Sequence, residues 1–170
     1  ENGEIEIWYF DETGFDLQPS VPYAWQPNGQ IIEVPSLWSQ RINVLGFFTQ
    51  DHDWVPFCFE GKVNSDIVVA CFDSFANRPS EKERLVLIDN APIHTSDIFL
   101  DSLPDLEKKG VIVNFLPTYC PELNLIEILW RFIKYHWLPF SAYLSVPNLV
   151  KELEIILRQI GKGLRIHFAS

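Results

Sequence analysis

The sequence predicts an α/β domain, in which a mixed β-sheet carries helices on its faces. Two short apolar runs, Ile5–Phe10 and Leu85–Ile88, are typical of buried strands, and an aspartate directly follows each of them. The predicted elements come in the order strand, hairpin, helix, strand, helix, strand, helix. Because strands alternate with helices after the hairpin, we expect parallel and antiparallel pairs in one sheet with helices packed against it.

Local signals place the first elements. A turn-rich stretch from Pro19 to Gly29 follows the first strand. Two apolar runs, Arg41–Thr49 and Trp54–Phe59, then flank a short polar loop and predict a β-hairpin. The next helix is expected to begin with Asn64 or Ser65 as its capping residue.

The second half of the chain predicts three more helices and one strand. A helix around Ser96–Lys109 ends at Gly110, and Val111–Leu116 forms a strand. The third helix has Pro121 in its first turn and continues to about Trp137. Its predicted apolar stripe consists of Leu123, Ile126, Trp130, Ile133 and Trp137, with Glu127 beside it. The last helix, Pro147–Ile160, is expected to turn Leu149, Leu153, Ile156 and Ile160 toward the core and to leave Lys151, Arg158, Lys162 and Arg165 in solvent.

Length and composition favour one domain, residues 1–170. The chain is 47% apolar, which is enough for a substantial core. No run reaches the roughly 18 apolar residues of a membrane helix, and the acidic start is unlike a signal peptide. Three widely spaced cysteines indicate neither a disulfide framework nor a zinc site. We therefore expect an intracellular, cytoplasmic protein without a membrane partner.

Charge is distributed unevenly along a chain with a net charge of −10. Residues 1–130 hold 7 basic and 21 acidic side chains, whereas residues 131–170 hold 6 basic and 2 acidic ones. Arg131 and Lys134 either contact phosphates or lie in solvent. Such a weakly basic region predicts little DNA affinity by itself, so a DNA-binding enzyme with this core needs a more basic module. The lack of any Met suggests that this module lies in a missing N-terminal region.

Three carboxylates are the candidate catalytic and metal-binding residues. Asp11 and Asp89 each end a predicted strand, and Glu127 follows Asp89 with 37 residues between them. Phosphodiester cleavage builds negative charge on the attacking and leaving oxygens, and two divalent ions can stabilise both. Carboxylates are the ligands that Mg²⁺ and Mn²⁺ prefer. If the three converge, they predict a metal-dependent nuclease site.

Three segments carry a resemblance to a known family: Tyr9–Phe15, Leu87–His94 and Leu116–Trp130. They resemble the DDE transposases of the mariner superfamily, specifically the bacterial insertion-sequence branch. The family has a ribonuclease H-like fold, which it shares with retroviral integrases. Two residues depart from the family pattern: Cys120 replaces the usual Ser and Leu125 the usual Pro. Neither is a metal ligand.

The resemblance implies a cut-and-paste DNA transposase that uses Mg²⁺ or Mn²⁺ as a pair of ions. Asp11, Asp89 and Glu127 would be the metal ligands, with Asp11 bridging both ions. Double-stranded DNA, as transposon ends and target, would be the partner, and a homodimer would hold two ends together at the nucleoid. Two alternatives stay open: a ribonuclease H-like nuclease, and an inactive or domesticated fragment that only binds or dimerises.

Four further residues lie near the predicted carboxylates. Asn90 either caps the turn after the strand or orients a carboxylate. His94 either positions a phosphate or a water, or caps and packs locally. Asn124 either holds the loop before the third helix or touches DNA. Glu12 should point away from Asp11, because side chains alternate along a strand, and we interpret it as structural.

Overall fold

The computed structural model describes residues 5–18, 41–117 and 123–167, and five strands in this part of the chain form a sheet. The strands are β1 Ile5–Phe15, β2 Ile42–Phe48, β3 Trp54–Glu60, β4 Glu83–Ile88 and β5 Val111–Phe115. Their order is β3-β2-β1-β4-β5. The pairs β1/β2 and β2/β3 are antiparallel, and β4 runs parallel to both β1 and β5. The predicted mixed sheet and its hairpin are confirmed.

Helices cover both faces of the sheet. They are α1 Ser65–Ala76, α2 Asp97–Lys108, α3 Leu125–Phe132 and α4 Val146–Gln159, with a π-helical segment Ile133–Trp137 and a 3₁₀ segment Phe140–Leu144 between the last two. Asn64 caps α1, since its Oδ1 accepts the Ile67 N–H at 3.0 Å. Gly110 follows α2 at φ +77°, a conformation that favours glycine.

The alternation of side chains along β1 divides the core into two layers. Trp8 and Phe10 pack with α1 and α2, whereas Phe15 packs on the opposite face with α3 and α4. β2 is buried along its whole length because both faces of this strand are covered. Side chains that leave β1 in alternate directions therefore reach different helices.

The structure corrects the predicted position of Asp11, which lies inside β1 and does not end it. The parallel pairing of β1 with β4 stops at Tyr9 opposite Leu87, but the antiparallel pairing with β2 continues to Phe15. Pairing with β2 thus extends β1 beyond Phe10, the last residue of its predicted apolar run. Asp11 nevertheless lies just beyond the parallel part of the sheet.

The third predicted helix is correct at its C-terminal end and partly wrong at its start. Leu123 precedes α3 and is 47% exposed, so it does not belong to the buried stripe, whereas Ile126 and Trp130 do. After Phe132 the backbone widens to π-helical geometry, in which the Leu138 N–H donates to the Ile133 carbonyl at 2.9 Å. The predictions for Pro121, Cys120 and the turn-rich stretch 19–29 fall outside the described residues.

The last helix is confirmed. Its four predicted core residues are buried, and its four predicted basic residues are exposed. In the ranges that the structure describes, no helix combines the length and apolar character that crossing a bilayer requires.

A buried arginine connects β4 to the end of α1. Arg84 is 4% exposed, and its guanidinium donates to the carbonyls of Phe75 at 2.8 Å and Ala76 at 3.1 Å. We expect Arg84→Met to lower the free energy of unfolding by about 2–4 kcal/mol, because two carbonyls lose charged donors. Urea unfolding measures this loss. The exposed Arg78→Met is the control, and an equal loss in both variants would contradict the assignment.

Candidate active site

Asp11 and Asp89 occupy equivalent positions on neighbouring parallel strands. Tyr9 pairs with Leu87, and each aspartate lies two residues beyond its member of that pair. Parallel strands lie about 4.8 Å apart where they pair, and a step of two residues returns to the same face. The sheet topology therefore brings the two carboxylates to one edge, although 77 residues separate them in the chain.

Asp11 points toward α3 from a largely buried position. Its Oδ2 accepts the indole N–H of Trp130 at 3.0 Å. Burial raises the pKa of Asp11 to about 7, and the negative charges of Glu12, Asp89 and Glu127 add to the rise, while a hydrogen bond from the Glu12 backbone opposes it. A carboxyl with this pKa is poorly stabilised as an anion unless a cation approaches.

Glu127 shares a cleft with Asp11. It lies in the first turn of α3, where its backbone N–H donates to the Asn124 carbonyl at 3.0 Å, and it is half-buried at the border of the apolar face, as predicted. The cleft has a volume of about 270 Å³ and is lined by Asp11, Glu12, Thr13, Glu127, Trp130, Arg131, Lys134 and Tyr135. Asp89 is not among the lining residues, although its charge acts on Asp11.

Asp89 is oriented by two hydrogen bonds to one of its oxygens. Oδ1 accepts the Ala91 N–H at 3.0 Å and lies 2.6 Å from Nδ1 of His94. The bond from His94 holds the pKa of Asp89 below its usual value. The side chain remains 46% exposed, so it is accessible from solvent.

His94 joins Asp89 to Glu12. Its ring has no exposed surface, and Nε2 lies 3.0 Å from Oε2 of Glu12. Because carboxylates only accept, both ring nitrogens donate. Burial by itself lowers the pKa of His94, but the bonds to the two carboxylates outweigh it and raise the pKa to about 9. Because the ring is buried, it cannot itself meet a phosphate, and its contacts fit local packing together with a hydrogen bond that orients the Asp89 carboxylate.

The two asparagines hold backbone segments in place. Asn90 is exposed, and its Nδ2 donates to the Leu116 carbonyl at 2.6 Å, which ties the end of β4 to the end of β5. Asn124 is 1% exposed, and its Nδ2 lies 3.4 Å from the Phe10 carbonyl. Asn124 thus connects the start of α3 to the strand that carries Asp11, and its burial fits the loop-holding interpretation.

Trp130 was not recognised in the sequence as a partner of the site, and Lys134 was considered only for phosphate contact or solvent exposure. Trp130, interpreted only as core, donates to Asp11; its position three residues after Glu127 was the available signal, because such residues share a helix face. Lys134 is half-buried, and Nζ donates to Thr13 Oγ1 at 2.6 Å. Burial lowers the pKa of Lys134. Arg131 is exposed, as the solvent interpretation requires.

The donors of the site suit a divalent cation in their chemistry, but they are not gathered around one point. Among the residues that the structure describes, no group of three or more His, Cys, Asp or Glu side chains is arranged to hold a metal ion. Burial and the nearby charges of Asp89 and Glu127 nevertheless destabilise the ionised form of Asp11. A bound cation would stabilise that form. Carboxylate oxygens are the ligands that Mg²⁺ and Mn²⁺ favour. The metal-binding role of the three residues stays a prediction.

A mixed five-stranded sheet with acidic residues just beyond the parallel pairing of its central strands is the ribonuclease H-like architecture of transposases and integrases. A family model described as DDE superfamily endonuclease matches residues 6–150. The chain therefore belongs to the DDE superfamily endonucleases. No curated protein matches the sequence.

Solved structures with the same fold come from transposases and retroviral integrases. The Mos1 strand transfer complex aligns with a TM-score of 0.62 and 16% identity over 92% of this chain and 49% of that chain. The catalytic domain of Mos1 mariner transposase gives 0.53 and 16%, covering 90% and 70% of the two chains. The HTLV-2 integrase catalytic core domain in complex with magnesium gives 0.55 and 16%, covering 91% and 84%. The chain thus spans about half the length of the matched Mos1 transposase chain.

Proposed function

We propose that residues 1–170 are the catalytic domain of a cut-and-paste DNA transposase that hydrolyses phosphodiesters at transposon ends and joins the ends to target DNA. The observation that carries this proposal is geometric: Asp11 and Asp89 each lie two residues beyond the paired residues Tyr9 and Leu87, and Glu127 lines the same cleft as Asp11. The family model supports the class of enzyme. Membership in the bacterial insertion-sequence branch stays a prediction.

Asp11, Asp89 and Glu127 are the proposed ligands for two Mg²⁺ or Mn²⁺ ions. Complexes of Mos1 with Mg and with Mn support this choice of ions. When bound, the ions would supply charge stabilisation to the attacking and leaving oxygens of an in-line displacement. Asp11 would help to hold both ions. Asp89 and Glu127 would each hold mainly one.

The chain's own residues would orient these ligands and receive the DNA. Trp130 holds one oxygen of Asp11, and His94 with the Ala91 N–H holds one oxygen of Asp89. Arg131 and Lys134 line the cleft beside Glu127, where their charges can meet the phosphate backbone. Double-stranded DNA would be bound mainly through a further N-terminal region, by a homodimer, in the cytoplasm at the nucleoid.

Metal binding by the chain is the first test. We expect Mn²⁺ to bind and Glu127→Gln to weaken its affinity at least about 10-fold, because one charged oxygen ligand is lost. Electron paramagnetic resonance of unbound Mn²⁺ measures the affinity. Glu107→Gln, an exposed helix residue, is the matched control. No binding by the unmodified chain, or equal affinities in both variants, would count against the site.

Strand transfer separates the proposed function from its alternatives. The full-length protein is given oligonucleotides with the ends of the element that encodes it, a target plasmid and Mg²⁺ or Mn²⁺. Joined products support the transposase. Nicking of RNA or branched DNA without joining indicates the ribonuclease H-like nuclease, and neither reaction indicates an inactive or domesticated copy.

A further inference from the structure

A continuous line of three side chains connects β1 to the residue after β4. Glu12 Oε2 lies 3.0 Å from His94 Nε2, and His94 Nδ1 lies 2.6 Å from Asp89 Oδ1. Glu12 directly follows Asp11 but leaves β1 on the opposite face, where the His94 ring packs near Phe10 with a centroid distance of 5.7 Å. Asp11 and Glu12, which are consecutive residues of β1, thus point to opposite faces of the sheet at the same end of the strands.

We propose that Glu12 is a positioning residue of the active site, acting through His94 to set the orientation of Asp89. The proposal rests on the proposed function, since it takes Asp89 as a metal ligand. Glu12 itself is assigned no contact with metal or DNA. Its carboxylate accepts a hydrogen bond from Nε2 of the imidazole, and Nδ1 of the same ring donates to Asp89.

The geometry explains why the contact between Glu12 and Nε2 of His94 matters. The two ring nitrogens belong to one rigid planar ring, so a partner that holds Nε2 also fixes the direction in which the Nδ1–H points. His94 and the Ala91 N–H both bind Oδ1 of Asp89, and among the described residues no hydrogen bond is made to Oδ2. The arrangement assigns Oδ1 to the protein and leaves Oδ2 for a cation.

The position of Glu12 next to Asp11 makes an alternative explanation testable. The charge of Glu12 also raises the pKa of Asp11, so its removal changes the electrostatics of the cleft without any change in Asp89. A glutamine at this position removes the charge but keeps an oxygen that can accept from Nε2. An alanine removes both. The two substitutions therefore separate positioning from charge.

Two measurements on the whole chain test the proposal. In the metal-free protein, nuclear magnetic resonance should detect a downfield, slowly exchanging proton on His94 Nδ1, assigned by its loss in Asp89→Ala, which has no acceptor at this position. We expect this proton in the unmodified chain and in Glu12→Gln, but not in Glu12→Ala. For Mn²⁺ affinity we expect a loss of about 10-fold or more in Glu12→Ala and less than about 3-fold in Glu12→Gln.

Glu6→Ala is the matched control, because Glu6 lies on the same face of β1 and is also half-buried. It should leave both readouts unchanged. The inference is overturned if the His94 proton persists in Glu12→Ala, if Glu12→Ala binds Mn²⁺ like the unmodified chain, or if Glu12→Gln loses as much affinity as Glu12→Ala. A merely structural role would lower the melting temperature without altering affinity in the folded variant.

Failure of the proposed function has a different signature. If the unmodified chain binds no Mn²⁺, the assignment of Asp89 as a ligand is refuted and the inference about a metal site falls with it. If the unmodified chain binds Mn²⁺ and Glu12→Ala binds it equally well, the proposed function stands and only the inference fails.

Discussion

Replacing Asp89 by Asn is expected to reduce DNA cleavage by the full-length protein at least about 1,000-fold while leaving the fold intact. The substitution removes one negative charge from the proposed metal ligands. A bound metal contributes several kcal/mol of transition-state stabilisation, and about 4 kcal/mol corresponds to a 1,000-fold change in rate. The fold should survive because the amide oxygen of Asn can still accept from the Ala91 N–H and His94.

Cleavage of a labelled transposon end over time measures the rate, and circular dichroism on heating checks the fold. Asp97→Asn is the control, since Asp97 is an exposed residue in the first turn of α2. It should cleave at the rate of the unmodified protein. Cleavage retained by a folded Asp89→Asn variant would remove Asp89 from the catalytic residues.

Replacing Asp11 by Asn is expected to stabilise the metal-free chain at pH 8 by up to about 4 kcal/mol. The folded protein raises the pKa of Asp11 to about 7, whereas an unfolded chain leaves it near its ordinary value of about 3.9. Between these two values the folded state binds the proton more tightly, so stability falls as the pH rises. Above pH 7 the full cost of the buried charge is present. Asn carries no such charge, and its amide oxygen can accept from Trp130.

Urea unfolding in a chelating buffer at pH 4 and pH 8 measures the effect. The difference between Asp11→Asn and the unmodified chain should be near zero at pH 4 and reach its maximum at pH 8. Mn²⁺ should then stabilise the unmodified chain more than the variant, because a ligand that binds only the folded state raises its stability. Asp101→Asn, an exposed residue of α2, is the control. A difference that does not change with pH would contradict the assigned pKa.

Local signals predicted most of the fold. The hairpin, the Asn64 cap, the glycine after α2 and the buried stripe of α4 each depend on residues close together in sequence, and the structure confirms all four. Alternation along β1 likewise placed Asp11 and Glu12 on opposite faces. The length of β1 was not predicted, because pairing with β2 extends the strand through residues with no apolar run of their own.

The contacts around the carboxylates could not be predicted from local patterns. Glu12 and His94 are 82 residues apart, and Asp11 and Trp130 are 119 residues apart. Each contact depends on how two elements that are distant in sequence are positioned relative to each other in the folded chain. The sequence predicted Trp130 to be a core residue and Glu12 to be structural. Neither prediction included the polar group that the side chain contacts.

The sequence by itself determined the element types, the mixed sheet and the three candidate carboxylates, because hydrophobic periodicity, caps and family motifs are properties of short segments. Only the tertiary structure decided that Asp11 and Asp89 lie in register, that Glu127 shares a cleft with Asp11, and that His94 joins Asp89 to Glu12. These features arise where the pairing of β1 with β4 ends and α3 packs across β1. The chemistry of the site therefore depends on contacts between distant segments.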